Sequence, residues 1–390
     1  VPVSSAPLPC SSGPGSGVRD DVIADLPDDI SAEPSARQAG PLPSLEWGIQ
    51  PLQGWHLPLL EDPCFLPLQS LLQRALLLAL PERLITSLVS RRPLVPRVLV
   101  ATCRDPRGRQ QALGLIVTQP LNRSASCWQV DHLRLSVRLS DDPLAPSRRT
   151  VAGALLREAI LRGRGAASWI AVAAGVDAER LAWLREQGFQ PQRSERVWRW
   201  SAAEPVVVSS APAPPHDLQL RPLTARTAPL LWHLEQACTP APLRQLLDRR
   251  VEDLLDQSRG GGWILVDPLR SEAVASVRCL EQHPAGGRKV EFSLHPGWSH
   301  LLGPTTERLL LLLVRKHNPL WLVSEAGDNQ RSAWLESLAA EPCGEQVLMA
   351  RSVWRRQEWQ PAHAAGRRLA AVLERLQPSR QPLPSPLRLP

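Results

Sequence analysis

Two carboxylates sit in matching surroundings 160 residues apart: Asp131 in Val130-Asp131-His132 and Glu291 in Val290-Glu291-Phe292. Each lies in a run whose composition predicts a strand, and a carboxylate fixed on a strand can serve as a proton acceptor or pair with an arginine. A second cluster, Ser147-Arg148-Arg149-Thr150-Val151-Ala152-Gly153, opens a segment with apolar residues at 151, 155, 156 and 160. That spacing predicts a helix, and unpaired N–H groups at a helix start, reinforced by two guanidiniums, attract anions. The counterpart, His295-Pro296-Gly297-Trp298 through Gly303-Pro304-Thr305, offers Gly303 but loses one N–H at Pro304. Metal chemistry is not expected. The seven cysteines contain no C-x-x-C pair, and His295 and His300 have no third ligand at metal spacing.

These pairs belong to a longer repetition, offset by about 150–160 residues. Val98-Leu99-Val100 with Asp105-Pro106 is echoed by Ile264-Leu265-Val266 with Asp267-Pro268. Trp169 to Gly175 matches Trp321 to Gly327, Ala182-Trp183-Leu184 matches Ala333-Trp334-Leu335, and each half closes on Val-Trp-Arg at 197–199 and 353–355. A period this long is a duplicated domain and not a solenoid. The paired tryptophans (169/321, 183/334, 198/354) could stack a base, but their strand and helix positions favour core packing in a chain with no Tyr and 3 Phe.

Composition narrows the class. The 390 residues suffice for two domains of ordinary size. Arginine outnumbers lysine 43 to 2, a bias of the kind a G+C-rich coding sequence gives. The net charge of +7 comes without a basic stripe, so no specific nucleic-acid surface is expected. No apolar run approaches a membrane span and no basic-then-apolar signal opens the sequence. With the odd cysteine count, this points to the cytoplasm.

The elements that must position these residues follow from periodicity. Residues 1–41 read as a disordered leader, 203–216 as a Pro-rich linker, and the region after 357 as a tail. The first half (45–201) predicts helices at 66–80 and 82–89 interrupted by Pro81, a hairpin at 97–103 and 111–118, and a strand from 127. A helix at 150–161, a buried strand at 169–174, a helix capped by Asp177 and ended at Gly188, and a last strand at 196–200 complete it. The second half (217–357) repeats the order: helices through 255, a hairpin at 262–280, then strand 288–294, helix 305–316, strand 320–324, helix 329–339 and strand 346–354. Cleavage in 203–216 should leave two stable fragments.

This order, with Leu181-Ala182-Trp183-Leu184-Arg185-Glu186-Gln187-Gly188-Phe189 as its most specific string, resembles the GNAT acetyltransferase family. The resemblance covers 45–201 and 217–357 and implies two tandem mixed α/β domains. It implies acetyl-CoA as co-substrate, held at Arg148, Arg149, Thr150, Val151, Ala152 and Gly153, and transfer of its acetyl group to an amine acceptor. It implies Asp131 or Glu291 as general base, with the first half the better catalyst. The family's Tyr acid would stand at Leu184, and the chain has no Tyr. The eroded helix starts and Ala339-Ala340, in place of Gly-Phe, imply the alternative of a pseudo-acetyltransferase acting as a CoA-binding or protein-interaction scaffold.

Overall fold

A computed structural model describes residues 46–85, 96–104, 108–140, 145–163, 165–202, 217–258 and 260–352. The expected leader, linker and tail, and the second Val-Trp-Arg, lie outside these residues. The described residues form one compact unit.

The first half contributes strands β1 (Trp47–Pro51), β2 (Arg97–Arg104), β3 (Gln110–Pro120), β4 (Cys127–Leu135), β5 (Ser168–Ala174) and β6 (Gln190–Trp200). Its helices are α1 (Gln69–Ile85), α2 (Arg148–Arg162) and α3 (Ala178–Glu186). The second contributes β7 (Gln219–Pro222), β8 (Gly262–Asp267), β9 (Glu272–Gln282), β10 (Arg288–Leu294), β11 (Leu320–Glu325) and β12 (Glu341–Ser352). Its helices are α4 (Ala228–Cys238), α5 (Ala241–Leu247), α6 (Val251–Gln257), α7 (Pro304–Val314) and α8 (Asn329–Ser337). Among the described residues no helix is long and apolar enough to cross a membrane.

Local chemistry explains the element ends. The Ser147 hydroxyl accepts from the Thr150 N–H at 3.1 Å to start α2, and Asp177 and Asp328 cap α3 and α8 through the Arg180 and Arg331 N–H groups, each at 2.9 Å. Gly163 ends α2 because a β-carbon there would lie 2.3 Å from the Trp169 ring. One expectation is corrected: α1 runs through Pro81 to Ile85, since a proline removes only one hydrogen bond of the ladder and the flanking turns carry the helix on. The paired tryptophans pack as core: Trp169, Trp183, Trp198, Trp321 and Trp334 are all buried.

All twelve strands form one sheet in the order β1-β2-β3-β4-β5-β12-β6-β11-β10-β9-β8-β7. The last strand of each half is exchanged. β12 pairs antiparallel with β5, Ser352 opposite Ser168 and Gln346 opposite Ala174, while β6 pairs with β11, Trp200 opposite Leu320. The exchanged strands also pair with each other. Met349 of β12 is therefore sealed in the helix-side core of the first half, and Trp198 and Trp200 of β6 in that of the second. On the opposite face, Leu243 and Leu247 of α5 pack on Cys127, Ile170 and Leu348. The segment after α5 clasps the β3–β4 turn through Arg123–Asp256 at 2.6 Å and Ser126–Asp248 at 2.6 Å. Each half thus completes the other's sheet.

Candidate functional site

In the first half β4 and β5 run parallel and pair only from Cys127–Val130 against Ser168–Ala171. Beyond this the strands part, and Asp131–Leu135 leave a wedge-shaped gap facing Val172–Ala174. A register shift against β3, between the Val117–His132 and Thr118–Val130 pairs, makes Asp131 a bulge residue at the point of parting. Asp131 accepts from Gln119 Nε2 at 3.2 Å, the Gln129 amide also interacts with it, and no cation pairs with it among the described residues. Burial, with the Glu281 charge adding to it, pushes its carboxyl up to about 8. Its neighbour His132 is driven down to about 4 by burial and by the Arg134 and Arg180 charges.

The start of α2 differs from what its sequence suggests. Arg148 faces Glu179 at 3.6 Å and Arg149 faces Glu186 at 2.9 Å, so both guanidiniums are tied to α3 and its end. Val151 and Ala152 are fully buried, and Gly153 is buried too, with the Gln187 amide nearby. These three cannot meet a ligand through side chains. The Thr150 and Val151 N–H groups are already taken by the Ser147 hydroxyl and carbonyl. What remains for an anion is the N–H groups of Arg148 and Arg149. A groove outside α2 is lined by Arg149, Thr150, Gly153, Arg157 and Gln187.

The second half repeats the scaffold with its openings closed. β10 and β11 pair only at Arg288–Leu320 and Lys289–Trp321 before parting. Glu291 does not stand as Asp131 does. Its carboxylate meets the Arg278 guanidinium and, at 3.4 Å, that of Arg249. Arg278 also reaches Glu235 at 2.9 Å, and Arg249 reaches Glu235 at 3.2 Å. Burial alone would push the Glu291 carboxyl up, but the two arginines outweigh it and hold it well below the usual carboxylate range. At the start of α7 the Thr306 hydroxyl takes the N–H of the capping Gly303 at 2.9 Å and Pro304 has no N–H, which leaves the N–H groups of Thr305 and Thr306 beside the acidic Glu307. Arg331 of α8 fills the gap: it meets Asp328 at 3.3 Å, donates to the Phe292 carbonyl at 3.4 Å and covers the Phe292 ring at 5.2 Å.

Sequence reasoning did not single out Glu235, Arg249, Arg278, Arg180 or Arg331. The last two carried a signal, since each stands three residues after the capping aspartate of repeat-equivalent helices. Leu184, at the place of the expected acid, is buried in the core.

No family model and no curated protein matches the chain. Many solved structures similar to it are GNAT acetyltransferases. A GCN5-related N-acetyltransferase from Sphaerobacter thermophilus is 13% identical, with 78% of this chain and 95% of that one covered and a TM-score of 0.49. A tandem GNAT protein from the clavulanic acid biosynthesis pathway is 15% identical over 79% and 98% of the two chains, with a TM-score of 0.49. A putative acetyltransferase from Pyrococcus horikoshii is 8% identical over 79% and 89%, with a TM-score of 0.46.

Proposed function

We propose that the chain is an acyl-CoA-dependent N-acyltransferase whose first half is catalytic and whose second half is a structural partner. The observation that carries this reading is the gap between β4 and β5, with an unpaired carboxylate of raised pKa at its apex and the start of α2 beside it. Strand edges that have parted leave N–H groups free to polarise a carbonyl, and a cleft between strands holds two reactants in line. The residues present fit an acyl thioester in those respects: an unpaired strand edge, free N–H groups at Arg148 and Arg149, and no acidic side chain paired into the gap. When bound, the thioester supplies the activated acyl group.

Asp131 is the proton acceptor in this reading. Above pH 8 its carboxylate is ionised and can take a proton from an incoming ammonium group. The departing thiol receives no proton from position 184, so the rate depends chiefly on placement. Glu291 is an unsuitable base because its charge is stabilised by two arginines. The domain division at 45–201 and 217–357 is kept as a division of labour within one sheet.

Calorimetric titration of the full chain with acetyl-CoA tests the proposal, paired with an assay of thiol release in the presence of primary amines. Saturable binding at one site per chain is expected. Binding at two equal sites would overturn the division of labour, and no binding would overturn the enzymatic reading and leave the scaffold.

A further inference from the structure

Arg180 and Arg331 are repeat-equivalent: each follows its capping aspartate by three residues and lies in the first turn of its helix. Arg331 is satisfied by Asp328, the Phe292 carbonyl and the Phe292 ring. Arg180 is not. Its Nε is cut off from solvent with no hydrogen-bond partner, and no carboxylate of the described residues lies within ion-pair distance. Its charge is coupled first to its own cap Asp177 and then to Arg134, Asp131 and His132 on the stretch of β4 that has parted from β5, which places it beside the gap. Of the two acids at the start of its own helix, Asp177 uses its Oδ1 on the Arg180 backbone N–H and Glu179 faces Arg148.

A partly desolvated guanidinium without a counter-ion is costly, and its planar fork matches two carboxylate oxygens. Asp131 does not supply that counter-ion at neutral pH, since it stays protonated below 8. Around the gap, Arg134 and Lys289 add positive charge, while the Lys289 ammonium is itself paired with Glu281.

We infer that Arg180 receives a carboxylate of the ligand, carried on the acyl group or on the amine acceptor, and so selects acidic substrates. This rests on the acyl-transfer reading of the same cleft. Arg180 is placed as a specificity residue, and its role is separable from that of Asp131.

The test uses the full chain, wild type, Arg180→Gln and Arg180→Lys, with folding checked by thermal unfolding. One arm compares affinities for acetyl-CoA and succinyl-CoA. The other, with acetyl-CoA saturating, compares alanine with ethylamine as acceptor. We expect a preference of about tenfold or more for the carboxylate-bearing member in one arm, lost in R180Q and partly kept in R180K. Acetyl-CoA affinity should stay within about threefold in all three. The arm that shows the preference identifies which reactant carries the carboxylate. Equal loss of acetyl-CoA and succinyl-CoA binding in R180Q, or no preference in either arm, overturns the inference while leaving acyl transfer intact. If acetyl-CoA does not bind at all, the functional reading fails separately. The inference is then decided by thermal shift with alanine against ethylamine: no difference between wild type and R180Q overturns it.

Discussion

At the same position of the repeated scaffold, Asp131 stands with only neutral amide donors, and Glu291 stands between two guanidiniums. The two helix starts differ in charge more than in free N–H groups: two arginines stand in the first turn of α2, where α7 begins with Pro304 and carries Glu307. The arginine beside each gap follows the same division: Arg331 closes its gap, Arg180 faces its own without a partner. In the second half Glu235, Glu291, Arg249, Arg278, Arg331 and Lys289 are each paired with an opposite charge, which favours cohesion. In the first half Arg180 has no ion pair among the described residues and Asp131 is held neutral below about pH 8, which supports the reading proposed above.

The comparison can be broken most severely at the strands that join the halves. Truncation after residue 340 removes β12, which lies between β5 and β6 and carries Met349 into the first core. We expect loss of the cooperative unfolding transition for the whole chain by circular dichroism; retention of a folded first half would contradict the exchange. Next in size, Arg278→Ala leaves Glu235 and Glu291 short of their shared cation and should cost about 3–5 kcal/mol in denaturant unfolding. No substitution of Asp131 should approach that.

Activity should show the reverse order. Asp131→Asn should lower kcat by about 100-fold or more, and Glu291→Gln by less than about twofold while destabilising the fold. The pH profile sharpens this. With the Asp131 carboxyl raised to about 8, activity should rise with pH and level off above that value. The sign for stability is opposite: the folded chain holds a proton there that the unfolded chain has released, so stability falls between about pH 4 and pH 8. Asp131→Asn should flatten that fall in a series of unfolding curves. A rate profile centred near 4 would mean that another group is the base.

The smallest contrast is between two turns. Gly188 after α3 has φ of 82°, and the matching residue after α8, Ala339, is held at 56°. Ala339→Gly should therefore stabilise the chain by about 1 kcal/mol, and Gly188→Ala should destabilise it by a similar amount, both read by thermal unfolding.

Much of this architecture was legible from local pattern. The strand and helix order of both halves, the cap at Asp177 and the burial of the paired tryptophans followed from periodicity and capping chemistry. What did not follow depends on partner choice across long separations. Periodicity marks 196–200 and 346–354 as strands but does not say which fifth strand each lies beside, and two such similar strands can serve either slot. The Glu235–Arg249–Arg278–Glu291 cluster is assembled from four separate stretches of chain, so no spacing announces it. The pairing of Arg148 and Arg149 with α3 hid for the same reason, and a charged pair at a helix start reads alike whether it awaits an anion or already holds an acid.

The crossed ending of the sheet bears on how the protein is made. Contacts such as Gln346 Nε2 to Glu195 span 151 residues of chain, so a nascent polypeptide that has already emitted its first half still exposes the flank of β5. Pairings this remote in sequence slow folding and leave bare strand edges open to wrong neighbours in the interval. On the ribosome the first half must wait, with its proposed cleft unfinished, until nearly the last described strand has been synthesised. A message cut short before β12 would yield a product whose β5 lacks its neighbour on that flank.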